Sequence, residues 1–197
     1  IDPSLLEGLW RQPDNNTLTS KGLIWSRSNI REKMSVRMPQ LPLISKNGMT
    51  IEMKVKFKSL DPGQVLLDSR SENNQGIYIA TTDDNALQII LTDDKNLSYT
   101  WITDKNMLTT QKEHYISFII DGGAHVLSTV IDGRLCDGGK ERQYGWGKYS
   151  YSLGNINSLG KLHILPQCDA SIETLRIYGR YLRTSECIAN YHFLSDK

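Results

Sequence analysis

A short stretch rich in aromatic residues and glycine is the part of the sequence best suited to bind a ligand. It places Arg142, Tyr144 and Trp146 at alternate positions, and Tyr149 follows three residues later. In an extended segment, alternate side chains project to one side. Aromatic rings stack on the C–H faces of sugars, and a guanidinium donates to adjacent hydroxyls. We expect these four residues to form a ligand surface; the alternative is that Trp146 fills one end of a hydrophobic core.

Several aspartates could serve a second function, the binding of a structural calcium ion. Asp68 and Asp137 are candidates, together with Asp121 and Asp132, because hard cations bind carboxylate oxygens. Asp121 and Asp132 each precede a glycine, where aspartate more commonly forms a turn. The spacing matches no defined calcium loop, so the sequence does not identify a metal site.

The three cysteines, Cys136, Cys168 and Cys187, are too few for a disulfide framework and match no zinc motif. Cys136 follows one predicted strand and Cys168 precedes another, so a disulfide, if one forms, is expected between these two. Three buried thiols are the alternative.

Length and composition narrow the class of protein. A chain of 197 residues with 39% hydrophobic and 23% charged residues fits one globular domain spanning residues 1–197. A formal net charge of +1 argues against a nucleic-acid-binding protein. No apolar run reaches the length of a membrane span, and the N-terminus lacks the apolar core of a signal peptide. We expect an extracellular, cell-surface or periplasmic protein whose signal peptide is absent from this sequence.

The periodicity of apolar residues predicts short strands almost throughout. From Met49 to Phe57 apolar side chains alternate with charged ones, which predicts a strand with one buried and one solvated face. Its expected core residues are Ile51, Met53, Val55 and Phe57. Later strands are separated by Asp/Asn turns at near-regular spacing, as in a β-meander. Tyr99 and Trp101 share one face of such a strand and are interpreted as core residues.

The most secure local prediction is a hairpin between Tyr115 and Gly139. Two β-rich runs, Tyr115–Ile120 and Val126–Ile131, are bounded by Asp121-Gly122-Gly123 and Asp132-Gly133. Glycine supplies the positive φ of tight turns, so two turns are expected here. The one helical signal lies at residues 184–194, and residues 1–10 are expected to form an edge strand or a turn. The fold class is therefore all-β, an antiparallel sandwich with a short C-terminal helix.

The two Asp-Gly turns, the segment from Ile172 to Leu182 and the later Asn190-Tyr191 pair resemble laminin-G-like domains of the concanavalin A-like lectin/glucanase superfamily. The resemblance covers about residues 49–194 and implies a jelly roll. Calcium is frequent in the resembling families. Because the superfamily includes sugar-binding modules, adhesion domains and glucanases, the resemblance does not choose a function.

Glucanases of this fold carry an E-x-D-x-x-E pattern that supplies two carboxylates to the scissile bond. No such pattern occurs here. The position two residues after Glu52 is Lys54, and Glu173 is followed by Thr174 and Leu175, so neither glutamate has the required aspartate. We therefore expect a non-catalytic carbohydrate-binding or accessory module of a secreted or surface glycan-processing protein, whose partner is a carbohydrate and whose parent protein carries a flanking catalytic domain. The alternatives are a laminin-G-type protein-interaction or adhesion domain and, third, a glycoside hydrolase.

Overall fold

The computed structural model describes residues 18–195, which form two antiparallel sheets packed face to face. Residues 1–10, for which an edge strand or turn was expected, lie outside the described part of the chain. The strands are β1 Leu23–Ile30, β2 Met34–Arg37, β3 Met49–Phe57, β4 Val65–Asp68, β5 Gly76–Thr82, β6 Ala86–Thr92, β7 Ser98–Ile102, β8 Glu113–Asp121, β9 Val126–Ile131, β10 Arg134–Leu135, β11 Gly147–Lys148, β12 Lys161–Gln167 and β13 Ala170–Tyr178. The helices are α1 Ile44–Asn47 and α2 Thr184–Ser195, and a 3-10 turn spans Asp83–Asn85.

The first sheet has the strand order β1-β13-β3-β8-β9-β10, and the two-residue strand β11 also pairs with β9. The second sheet has the order β2-β12-β4-β5-β6-β7. The strand pairs of both sheets are antiparallel. This arrangement confirms the sandwich and the C-terminal helix predicted from the sequence. No helix within residues 18–195 combines the length and the apolar character needed to cross a membrane.

Strand β3 confirms the predicted core face and corrects the other one. Ile51, Met53, Val55 and Phe57 are fully buried between the sheets. Glu52, which the alternation assigns to solvent, is only 1% exposed. The reason is that helix α2 covers the outer face of the first sheet, where its Asn190 donates to the Glu52 carboxylate. The outer face of β3 is thus buried at Thr50 and Glu52, while Lys54 and Lys56 on the same face stay partly exposed.

The β8–β9 hairpin forms as predicted, but its two turns use glycine differently. Asp132 and Gly133 have φ values of 50° and 74°, as a two-residue type I′ turn requires. In the β8–β9 turn the residue with positive φ is His125, not a glycine. Gly122 is required there for close approach instead, because a Cβ at this position would overlap the backbone carbonyl of Ile44 in α1.

The predicted core role of Tyr99 and Trp101 on β7 is confirmed. Trp101 is buried and its indole nitrogen donates to the Thr129 hydroxyl at 2.9 Å, which links the second sheet to β9 of the first. Tyr99 is half-buried against the same core. These two rings form the floor on which the loop between β10 and β12 rests.

Candidate functional site

The aromatic-glycine stretch belongs to the long loop between β10 and β12, and Arg142 attaches this loop to the β7–β8 connection. Its guanidinium forms an ion pair with Asp104, donates to the Ile102 carbonyl at 3.0 Å and lies 4.1 Å from the centre of the Trp101 ring. Asp104 also accepts from the Gly138 N–H at 3.1 and 3.0 Å. Arg142 is therefore turned inward as a structural anchor, and the predicted extended run that would place it beside the aromatic rings is wrong.

Tyr144 and Trp146 stack on each other at the surface of this loop. Their ring centres are 4.9 Å apart with an interplanar angle of 24°, and the side chains are 51% and 48% exposed. The alternative that Trp146 fills the end of the core is excluded by this exposure. Stacking orients the two rings against each other while about half of each residue stays exposed to solvent.

The glycines beside Trp146 hold the pair in place through close packing rather than by leaving space for a ligand. A Cβ on Gly147 would overlap the Tyr99 hydroxyl and the Trp101 ring, and one on Gly145 would lie 3.1 Å from Leu135 and 3.2 Å from the Asp137 backbone. Gly147 then begins β11, which pairs with Leu127 and Val126 of β9. The rings thus project from a segment that is fixed at both ends.

Tyr149 does not belong to this surface, which corrects the prediction made from the sequence. It is 2% exposed, its hydroxyl donates to the Asp121 carbonyl at 2.8 Å, and its ring lies 5.8 Å from that of Tyr99. Strand β11 turns the chain back onto the sandwich directly after Trp146, so Tyr149 enters the core. Burial raises the pKa of its hydroxyl.

A cleft of about 970 Å³ opens next to the aromatic pair, at one end of the sandwich. Its walls are the β5–β6 turn at residues 82–86, the β7–β8 connection at residues 102–107 and the segment at residues 134–142. Leu135 and Asp137 line the cleft and pack against Gly145, so the residue between the two rings lies at the cleft edge, while the rings themselves are outside the lining. Lys105 joins the three walls, because its ammonium lies 3.3 Å from Asp84 and 3.4 Å from Glu141. The hydrogen bond to Asp84, followed by the charge of Glu141, raises the pKa of Lys105.

Each candidate calcium ligand accepts at least one hydrogen bond within the protein. Both Asp68 oxygens bind the Arg70 guanidinium at 2.9 and 2.8 Å. Asp121 accepts from two N–H groups of its own turn, and Asp132 accepts from His114 and from the Tyr115 N–H. Asp137 accepts from the Gly139 N–H through one oxygen. Residues 18–195 contain no group of three or more histidine, cysteine, aspartate or glutamate side chains that could hold a metal ion.

All three cysteines are free thiols, so the conditional pairing of Cys136 with Cys168 does not form and the alternative of three thiols holds. Cys136 is buried with its sulfur 3.6 Å from the Met107 sulfur, and Cys168 lies half-buried in the connection between β12 and β13. Burial raises the pKa of both thiols to about 12. Each sulfur thus serves as a small apolar group in its own environment.

The sequence shows a match to one known family. The family model described as concanavalin A-like lectin/glucanases superfamily matches residues 31–188. The chain belongs to this superfamily. A comparison with curated protein sequences gives no match.

Solved structures with the same fold are distant in sequence from this superfamily member. The CBM40 of Ruminococcus gnavus IT-sialidase bound to α2,3-sialyllactose is similar with a TM-score of 0.63 and 16% identity, covering 85% of this chain and 98% of that one. The same module bound to α2,6-sialyllactose gives 0.61 and 14%, covering 86% and 100%. The botulinum neurotoxin serotype G binding domain gives 0.63 and 16%, covering 86% and 42%. At these identities the likeness shows the shared fold.

The walls of the cleft include residues that sequence reasoning did not connect with the aromatic stretch. Asp104 and Lys105 lie in a segment predicted only as a turn between strands, and so do Asp83 and Asp84. Each turn signal was present in the sequence. Their meeting at one end of the sandwich depends on strand order, which local patterns do not contain.

Proposed function

We propose that this concanavalin A-like domain is a non-catalytic carbohydrate-binding module and that the cleft with Tyr144 and Trp146 is its sugar site. The observation that carries the proposal is the stacked, half-exposed ring pair at the edge of a cleft with charged walls. A sugar presents both C–H faces and hydroxyl groups, so it needs an aromatic platform beside polar groups.

The way the ring pair is held supports a binding role. Exposing two large aromatic side chains on one loop gives up hydrophobic stabilisation that burial would provide. Here the loop around them is fixed by Arg142, by the glycine contacts and by β11, so the rings stay in place without a ligand. A fixed platform loses little conformational freedom when it binds, which favours affinity.

The similar structures support the same class of function. The Ruminococcus gnavus module is a carbohydrate-binding module that was solved with sialyllactose. The match covers nearly all of that module and 85% of this chain. The proposed role is therefore that of an accessory domain, outside the cell, in a protein whose catalytic activity toward glycans lies in another domain.

A glycan array followed by calorimetric titration tests the proposal. The wild-type protein is expected to bind a subset of glycans, and Trp146→Ala should weaken binding by roughly 1–3 kcal/mol, the range measured for one aromatic stacking platform in nucleic-acid binders. Its melting temperature should hardly change, because the ring is half-exposed.

Tyr151→Ala is the matched control, because Tyr151 is an aromatic residue of the same loop that is 68% exposed but rests on His125 of the β8–β9 turn instead of stacking with Tyr144. It should leave glycan binding unchanged. A laminin-G-type protein-interaction domain, the alternative function, predicts no glycan signal, and equal losses in the two variants would place the sugar elsewhere.

A further inference from the structure

We infer that the cleft selects uncharged sugars over sialylated ones and that Asp137 is a specificity-determining residue within it. This inference rests on the proposed function and adds the chemical class of the ligand. It differs from the ligand of the similar carbohydrate-binding module, because sialyllactose carries a carboxylate.

The first argument is the charge of the walls. Five carboxylate and four cationic side chains line the cleft, which leaves it with a net charge of one negative. Like charges repel most strongly where solvent is partly excluded, so a ligand carboxylate gains no net attraction on entering. A neutral sugar does not meet this penalty.

The second argument is that the most buried cation of the cleft is already occupied. The charge of Arg142 is neutralised by Asp104, and its other described donor contacts go to the Ile102 and Cys136 carbonyls. Recognition of a ligand carboxylate by arginine usually takes a paired, fork-like contact. Both terminal nitrogens of Arg142 already donate to the protein, Nη1 to the Ile102 carbonyl and Nη2 to Asp104 and the Cys136 carbonyl.

Two further cations, Arg134 and Lys140, line the cleft and have no ion-pair partner within residues 18–195. Both are exposed, on β10 and on the following turn. Exposed, long side chains contribute little to binding a single charge because water and salt screen them. They are balanced in the same cleft by Asp83 and Asp137.

The third argument concerns Asp137, which lies beside the aromatic pair. Its backbone and Cβ stand against Gly145, the residue between Tyr144 and Trp146. One of its oxygens accepts from the Gly139 N–H at 2.8 Å, and the second is available at the cleft surface. An ionised carboxylate only accepts hydrogen bonds, so this oxygen suits a sugar hydroxyl donor and opposes a ligand carboxylate.

An array with pairs of glycans that differ only in a terminal sialic acid tests this selection, alongside neutral oligosaccharides of several sugar types. Signals are expected on neutral glycans, with sialylated counterparts weaker by about tenfold or more, since one charge in a partly desolvated site is worth that much. Sialylated glycans that bind as well or better would overturn the inference while upholding the proposed function. The absence of any glycan signal would overturn both.

Three variants test the roles of the charged groups, with binding of the preferred array glycan as the readout. Asp137→Asn keeps an oxygen for Gly139 but replaces the free one with a donor, and should weaken binding about tenfold, the effect of one good hydrogen bond to a charged group. Asp94→Asn, outside the cleft, should not. The double variant Arg134→Gln with Lys140→Gln removes two cations from the cleft and should leave the preference for neutral over sialylated glycans at least as large. Loss of that preference in the double variant, or unchanged binding in Asp137→Asn, would overturn the inference.

Discussion

The side-chain amide of Asn190 in α2 donates hydrogen bonds to both carboxylate oxygens of Glu52 in β3, at 3.2 and 3.0 Å. The hydroxyls of Ser117 and Tyr178 donate to the same carboxylate at 3.2 and 3.1 Å. The network joins α2 to three adjacent strands of the first sheet. Asn190 also accepts a hydrogen bond from the Thr19 N–H, so the segment before β1 is attached to the same network. Glu52 is therefore the polar centre of the interface between the helix and the sheet.

Stability should fall as the pH rises through the titration of Glu52. Burial raises the pKa of this carboxyl, and the hydrogen bonds from Asn190 and Tyr178 only partly oppose the rise. The folded state thus keeps the proton to higher pH than the unfolded state, whose glutamate has a pKa of about 4.3. The stability from this proton is fully present below that value and is lost as pH rises through the folded pKa. The loss amounts to about 1.4 kcal/mol for each pH unit that separates the folded pKa from the unfolded one.

Glu52→Gln removes this titration while keeping the size of the side chain. The difference in melting temperature between the variant and the wild type should therefore increase in favour of the variant as pH rises from acid to neutral. Glu72→Gln, at an exposed position, is the control for the substitution itself. A Glu52→Gln difference that stays constant with pH would contradict a raised pKa of Glu52.

The register of β3 predicts unequal effects at two neighbouring positions. Phe57→Ala should cost about 3–5 kcal/mol of unfolding free energy, because the ring is fully buried and its loss leaves a cavity. Lys56→Ala, on the other face and partly exposed, should be nearly silent. Chemical denaturation measures both values, and similar losses would show that the register is wrong.

Close packing under the aromatic pair makes Gly147 sensitive to a single methyl group. Gly147→Ala should destabilise the protein by about 1–3 kcal/mol, since the added Cβ would overlap Tyr99 and Trp101 and nothing there can yield without moving the core. Gly160→Ala is the control, because the nearest atom to its added Cβ is 3.7 Å away. If thermal melts show the two variants to be equally stable, the loop does not rest on these rings.

The thiol content of the native protein is open to direct measurement. Unreduced protein, unfolded in denaturant and treated with iodoacetamide, should take up three alkyl groups, because all three cysteines are free. In the folded protein Cys136 and Cys187 should react far more slowly, since both are fully buried. A mass with one label only would reveal a disulfide and contradict the structure.

Local patterns in the sequence predict the strands but not the contacts between segments that are distant in the chain. The alternation from Met49 to Phe57 and the Asp132-Gly133 turn are readable because a strand face and a type I′ turn are set by adjacent residues. The burial of Glu52 cannot be predicted in this way, since its partner Asn190 lies 138 residues away in the chain. Alternation alone cannot tell whether a helix covers the polar face.

The candidate site shows the same division. Exposed rings at Tyr144 and Trp146 could be expected from their glycine-rich surroundings, and both are exposed. The inward orientation of Arg142 could not be predicted from local sequence, because it depends on a turn at Gly138 and on Asp104 from the β7–β8 connection. The burial of Tyr149 likewise follows from the pairing of β11 with β9, which no local sequence pattern predicts.

The most direct test of a sugar site at the aromatic pair is an NMR titration that follows the indole N–H signals. The chain has four tryptophans, and Trp146→Phe assigns the signal of Trp146. Addition of the neutral glycan with the strongest array signal should shift the Trp146 signal saturably and leave that of Trp101, whose indole is buried and bonded to Thr129, in place. Saturable binding that leaves the Trp146 signal unmoved would contradict the assignment of the sugar site to Tyr144 and Trp146.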